Sequence, residues 1–214
     1  MISLSCLLHF LNNGVGMPIE TLNLALFSAL NASTDAKPVM IHLAIFVAND
    51  LLYILLGLLV FLWCYGDLQL KERAFKAVAL TAVSLLLGYL ISMIYPHPRP
   101  FVMEVGRTLI EHQPTASFPS NHMLIFSTIA LSYCFAGRKL AGGILLGLAF
   151  AVAWSRIYVG VHFPLDMLGA FILALFVNLI GFYLWQHYHQ VFMQIALNIY
   201  RWVGKPLLDR GLIK

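Results

Sequence analysis

The residues of this chain with the clearest capacity for chemistry form an array near position 160. Ser155 and Arg156 are followed by His162, and Asp166 comes four residues after the histidine. A neutral imidazole can act as a nucleophile, and a carboxylate at its other ring nitrogen orients it and stabilises the charge that develops. A guanidinium offers a planar fork of donors that matches phosphate oxygens. The array therefore indicates nucleophilic chemistry on a phosphorylated substrate.

Two upstream clusters supply the groups that such a reaction still needs. Arg99 adds a second guanidinium, and Ser120 adds a hydroxyl next to Asn121. His122 can protonate the leaving oxygen and later activate water. The backbone N–H groups near Asn121 and His122 are expected to open a helix, where unsatisfied donors favour an anion. Together the clusters predict hydrolysis of a phosphate ester with His162 as the nucleophile, and this route requires no metal or other cofactor.

The composition is that of a membrane protein. The chain has 214 residues, of which 61% are hydrophobic and 10% are charged, whereas soluble domains carry about 25% charged residues. This excludes an ordinary water-soluble globule, and no basic run suggests nucleic-acid binding. The three cysteines, Cys6, Cys64 and Cys134, lie in separate apolar stretches. Their scatter argues against a disulfide framework or a metal site and favours buried hydrophobic positions.

The elements that must position the clusters are predicted to be membrane-spanning helices. A span needs about 20 mostly apolar residues, and the candidates are 41–64, 76–95, 120–136, 140–158 and 164–187. The apolar stretch 21–33 is short, so an interfacial helix is favoured over a sixth span. The fold class is therefore an all-α integral membrane bundle with five or six transmembrane helices.

The sequence also supports predictions for the N-terminal and C-terminal segments. Residues 1–20 are interpreted as an N-terminal extension, of which residues 1–16 lack the basic start and the small-residue cleavage site of a signal peptide. Met17 is an alternative start, because the patterned sequence begins just after it. The membrane-embedded domain is expected over 21–188. Polar residues recur at three- or four-residue spacing in 189–214, which predicts an amphipathic helix on a membrane surface, with a partner-docking helix as the alternative.

The distribution of basic residues predicts the orientation. With the five spans, nine of them fall on one side of the membrane: Lys71, Arg73, Lys76, Arg138, Lys139, Arg201, Lys205, Arg210 and Lys214. Four fall on the other side: Lys37, Arg99, Arg107 and Arg156. The nine-charge side is expected to be cytoplasmic. All three clusters then meet at the exoplasmic face of the plasma membrane, although they are far apart in sequence.

The clusters also carry a family resemblance. Arg99-Pro100, then Pro119-Ser120-x-His122, then Ser155-Arg156 with His162 and Asp166 resemble the type 2 phosphatidic acid phosphatase superfamily of integral lipid phosphatases. The resemblance implies that His162 is the nucleophile, that Asp166 is its partner and that His122 is the general acid. It also implies a set of phosphate ligands: Arg99, Ser120 and Arg156.

Two positions depart from the pattern of the superfamily. A lysine often stands seven residues before the arginine of the first motif, but Ser92 stands there in this chain. His97 is the candidate substitute for that cation, with a loop histidine of no role as the alternative. Asn121 replaces a more familiar glycine or aspartate, and it is expected to be tolerated because the backbone N–H is the binding group.

The stretch Tyr95 to Phe101, with Ser117-Phe118-Pro119-Ser120, resembles bacterial undecaprenyl-diphosphate phosphatases of this superfamily. The resemblance implies a polyprenyl diphosphate lipid as substrate, recycling of the lipid carrier of cell-wall synthesis, and bacitracin resistance. Other lipid phosphates, or transfer to a lipid acceptor, stay open. So does a non-catalytic transporter or binding protein. The oligomeric state stays open as well.

Four other histidines are assigned no role, because a lone histidine in a helical protein is usually structural. They are His42, His112, His187 and His189.

Overall fold

A computed structural model describes residues 19–213. In that range the chain is helical and has no β-strand. The helices are numbered in chain order: α1 Ile19–Leu30, α2 Pro38–Tyr65, α3 Leu68–Ile94, α4 Asn121–Phe135, α5 Lys139–Tyr158 and α6 Pro164–Leu208. Each of the five predicted spans coincides with one of the helices α2 to α6. The predicted all-α membrane bundle is confirmed.

Four of these helices, α2, α3, α5 and α6, are long and apolar enough to cross a membrane. The predicted span at 120–136 corresponds to α4, which has only 15 residues and a length of about 22 Å, less than the roughly 30 Å of a hydrocarbon core. Ten of its residues are buried. It is therefore the central helix of the bundle, and it packs against α3, α5 and α6.

Consecutive helices run in opposite directions, so their connections collect at two ends of the bundle. The long connection 95–120 and the short one 159–163 form what we call the loop end. The connections 66–67 and 136–138 form the turn end. A backbone hydrogen bond from Leu109 N to Val159 O, at 2.9 Å, joins the two connections of the loop end. This topology brings the three polar clusters to one end of the molecule.

The helix α1 packs at the loop end. The side chain of Asn31, just after it, donates to the carbonyl oxygens of Arg107 (2.9 Å) and Tyr158 (3.1 Å). The ring of Phe27 meets that of Phe163 edge to face, at 5.1 Å between centroids. A helix of 12 residues is too short to span, which agrees with the expectation that 21–33 is not a sixth span.

The C-terminal segment is helical and continuous with the span before it. The helix expected over 189–214 is present as far as Leu208, but it continues α6 without a break, and α6 has 45 residues. The predicted segment is therefore the C-terminal part of one continuous helix. The physical reason is that no glycine or proline occurs between Gly181 and Gly204, so nothing interrupts the backbone hydrogen bonding where the apolar span ends. The expectations for Met17 and for most of 1–20 lie outside the described residues.

Candidate active site

The turn between α5 and α6 places His162 and Asp166 side by side. Pro164 begins α6, which suits the first position of a helix. The carboxylate of Asp166 reaches back to accept the N–H of Phe163 at 2.7 Å. Gly160, at φ +84°, lies so close to Arg107 O that a Cβ would collide with it. This left-handed, close-packed turn sets the direction in which His162 leaves the backbone.

The contacts of His162 define which ring nitrogen can react. Its Nδ1 is 3.2 Å from Asp166 Oδ2, and its Nε2 is 3.0 Å from Arg99 Nη1. An arginine side chain can only donate, so Nε2 must accept and carry a lone pair. The proton of the neutral ring therefore resides on Nδ1 and is donated to Asp166. This is the tautomer that a nucleophilic Nε2 requires.

Burial keeps this histidine neutral. His162 is 2% exposed, and burial lowers its pKa to about 4, although the hydrogen bond to Asp166 acts in the opposite direction. Burial also lowers the pKa of Arg99 to about 10, which leaves the guanidinium charged at neutral pH. The pair is thus an uncharged imidazole next to a fixed cation.

The two predicted guanidinium groups are held differently. Arg99 is fixed by the Thr115 carbonyl at 3.0 Å from Nε and by the Val161 carbonyl at 3.0 Å from Nη1. Arg156 lies in the last turn of α5 and is 2% exposed. Its Nη1 donates to the carbonyl of Ala48 at 3.3 Å, while its Nε and Nη2 have no partner among the described residues. A buried donor without an acceptor is costly, so these nitrogens are suited to an anionic oxygen.

These groups line one cavity of about 480 Å³ at the loop end. Five of its described lining residues carry basic side chains: Arg99, His112, His122, Arg156 and His162. None of the described lining residues is a carboxylate. Positive and neutral donors around a concave site, without an opposing negative charge, favour an anion such as a phosphate.

Other predicted site residues are placed in different ways. Asn121 and His122, the first two residues of α4, line the cavity. Ser120 is fully buried at the N-cap, where its Oγ accepts from Met123 N at 3.5 Å, and it is not among the lining residues. Asp166 lies behind His162. The structure thus brings the sequence-separated clusters together, with Ser120 and Asp166 behind the cavity wall.

His97 does not join this set. Its Nε2 lies 3.6 Å from the Glu20 carboxylate of α1, and its ring stacks on Tyr95. It is not a lining residue, whereas Ser92 is. The structure therefore gives no support to His97 as the substitute for the superfamily's lysine.

Sequence reasoning missed two residues. His112, which was assigned no role, lines the cavity with its ring centroid 6.4 Å from that of His162. Ser117 is fully buried and donates from Oγ to Asp166 Oδ2, with His162 Nδ1 at 3.3 Å. The one available signal for Ser117 was its position three residues before Ser120. For His112 there was only a titratable side chain between two clusters.

Fold and site together define a helical membrane protein with a cavity in which two guanidinium groups lie beside a neutral, oriented histidine. The chain belongs to the PAP2 superfamily, whose model matches residues 73–190. It is a membrane lipid phosphatase.

Known proteins agree with this assignment. The chain is 40% identical to YbjG of Escherichia coli K12, which is named, provisionally, an undecaprenyl-diphosphatase; the match covers 78% of this chain and 85% of the relative. It is 28% identical to the undecaprenyl-diphosphatase BcrC of Bacillus subtilis 168, over 88% and 97% of the two chains. The crystal structure of Aquifex aeolicus LpxE superposes with a TM-score of 0.62 at 27% identity, covering 75% of this chain and 94% of that one.

Proposed function

We propose that the protein hydrolyses undecaprenyl diphosphate to undecaprenyl phosphate and inorganic phosphate. The observation that carries the proposal is the cavity in which His162 Nε2 lies 3.0 Å from the Arg99 guanidinium and Arg156 offers two unpartnered buried nitrogens. Two relatives whose names give this activity support the choice of substrate. The lining residues from α3 include Leu85 and Tyr89 beside Ser92, and the first two side chains suit the first isoprene units of the lipid tail.

In the first step, His162 Nε2 attacks the terminal phosphorus. A P–N bond forms and the bridging P–O bond to the lipid phosphate breaks, while His122 donates a proton to the leaving oxygen. Asp166 accepts the Nδ1 proton in a hydrogen bond and stabilises the positive ring. Arg99 and Arg156 balance the charge on the equatorial oxygens.

In the second step, water attacks the phosphohistidine. His122 takes a proton from the water, the P–N bond breaks, and phosphate leaves with His162 restored to its neutral form. The same histidine therefore serves as acid and then as base, so the proton balance closes over one cycle.

We further propose that the cavity faces the exoplasmic side of the plasma membrane. The support is the excess of lysine and arginine at the turn end and in the C-terminal segment, nine residues against four at the loop end. Those at the turn end lie in the first turns of α3 and at Arg138 and Lys139. By the positive-inside rule this side belongs in the cytoplasm. Such an enzyme would return the lipid carrier of cell-wall synthesis to use and would compete with bacitracin for the diphosphate.

Phosphate release by the purified protein tests the proposal. The substrates are undecaprenyl diphosphate, phosphatidylglycerol phosphate and phosphatidic acid in the same detergent. We expect the highest kcat/KM for the diphosphate and no activity above background in His162→Ala, with an unchanged melting profile. A higher kcat/KM for phosphatidylglycerol phosphate or phosphatidic acid would show that undecaprenyl diphosphate is not the preferred substrate. Full activity in His162→Ala would reject the mechanism, as would the absence of an alkali-stable phosphoprotein after quenching with terminally labelled substrate.

A further inference from the structure

A second cavity, of about 380 Å³, lies at the turn end. We call it the turn-end pocket; among its lining residues are Glu72, Arg73 and Lys76 of α3 and Phe182 and Trp185 of α6. Lys76 is 16 positions before Ser92, which lines the catalytic cavity. At 1.5 Å per residue the two cavities are about 24 Å apart along α3. The turn-end pocket is therefore no part of the active site.

The ammonium group of Lys76 is the unusual feature of this pocket. The residue is only 6% exposed. Its Nζ lies 5.5 Å from the ring centroid of Phe182 and 5.7 Å from that of Trp185. No carboxylate of the described residues lies within ion-pair distance of it. Cation–π contacts stabilise a cation by less than its removal from water costs, so the rings alone do not balance this burial.

The nearest acidic side chain is engaged elsewhere. Glu72 Oε1 accepts the indole N–H of Trp185 at 2.9 Å. Arg73, half-buried beside it, uses Nη2 to bond Gln69 at 2.9 Å. Two cations therefore share the pocket with one carboxylate, which leaves a net positive charge. A buried cation is stabilised by an anion that also accepts hydrogen bonds, and a phosphate does both.

We propose that the turn-end pocket binds a phosphate group, with the Lys76 ammonium and the Arg73 guanidinium as its ligands. Two sources share this chemistry: the headgroup of an anionic phospholipid and free phosphate. The position favours the headgroup, because Lys76 lies about two turns from the start of α3 and aromatic side chains at that depth are typical of the boundary between acyl chains and water. Basic pockets between helices at this level bind lipid headgroups.

The test measures the melting temperature of the purified full chain in detergent. Phosphatidylglycerol, phosphatidylcholine or inorganic phosphate is added at matched concentrations. We expect phosphatidylglycerol to raise the melting temperature by several degrees and phosphatidylcholine to leave it unchanged. A similar rise with inorganic phosphate alone would identify the free anion as the ligand. If neither phosphatidylglycerol nor inorganic phosphate raises the melting temperature, the proposal is overturned.

Variants assign any rise to this pocket. Lys76→Met keeps the length of the side chain and removes its charge, so the rise is expected to disappear, and Lys76→Arg is expected to retain it. Lys139→Met is the matched control, because Lys139 is an exposed lysine at the same end, and it is expected to keep the full rise. Without added lipid, Lys76→Met should melt no lower than the wild type, since an unpaired buried charge has been removed. An undiminished lipid effect in Lys76→Met would refute the assignment.

Discussion

Ser117 offers the sharpest test of how the nucleophile is oriented. Its Oγ–H donates to Asp166 Oδ2, while Oγ lies 3.3 Å from His162 Nδ1. Since Nδ1 carries the ring proton, the serine oxygen accepts there and donates to the carboxylate, which ties the three side chains into one network. We therefore expect Ser117→Ala to loosen the alignment of His162 without removing any group that contacts the substrate.

The magnitude follows from the hydrogen bond that is lost. A hydrogen bond to a charged group contributes about 1.5–3 kcal/mol, and each 1.36 kcal/mol corresponds to a factor of ten in rate. Asp166 keeps the N–H of Phe163 at 2.7 Å and the ring of His162 at 3.2 Å, so activity should fall without vanishing. We expect a decrease in kcat of about 10- to 100-fold, and KM should change little because Ser117 does not line the cavity.

The matched control is Ser127→Ala. Ser127 is also fully buried, but its hydroxyl has no partner among the described residues. Both variants remove one oxygen from the interior, and only one of them removes a bond to the catalytic carboxylate. Phosphate release would be measured with a diphosphate lipid, together with the melting temperature of each variant. Wild-type kcat in a folded Ser117→Ala variant would refute the reasoning, and equal losses in both variants would point to packing rather than orientation.

Three further predictions use the same assays. Arg156→Lys removes the fork of donors but keeps a charge, and kcat/KM should fall about 100-fold; a change below threefold would mean that the unpartnered nitrogens do not contact phosphate. His112→Gln should lower kcat/KM about tenfold for a diphosphate lipid and leave a monophosphate lipid unaffected, because the second phosphate needs an additional donor, with the exposed His187→Gln as control; equal losses on both substrates would contradict this role. Because the pKa of His162 is lowered by burial from 6.5 to about 4, the unfolded chain binds the proton more readily, so stability should be lost as the pH falls from 6.5 through 4; His162→Asn should lose less over that range, and a parallel loss would contradict the lowered pKa.

The membrane helices could be predicted from the sequence because length and hydropathy together determine a span. The fold class and the grouping of the three clusters at one end could therefore be predicted from the sequence. The continuity of the last helix from Pro164 to Leu208 was not predicted, and the amphipathic character of its C-terminal part stays a prediction. The pattern after position 188 becomes more polar, but a change of polarity does not end a helix, and the residues up to Gly204 contain no breaker.

Site residues could be predicted where the chemistry requires a particular residue type. They could not be predicted where the fold of an irregular loop decides which side chains point into the cavity. Arg99, His122, Arg156 and His162 were identified from their types and spacing, and the structure places them around one cavity; their roles stay predictions. His97 and His112 show the limit. Both lie in the connection 95–120, one was assigned to the site and the other was not, and the fold of that connection reverses their positions relative to the cavity.

The hydrogen bond from Arg99 Nη1 to His162 Nε2 has a consequence for which molecules the enzyme can react with. A lone pair that accepts a hydrogen bond is not available for attack, so the proposed nucleophile, His162, is covered by the proposed phosphate ligand, Arg99. Only a ligand with enough negative charge to draw the guanidinium towards itself uncovers the ring nitrogen. A molecule without negative charge lacks the means to displace the guanidinium, so the ring nitrogen stays covered when only neutral lipids reach the cavity.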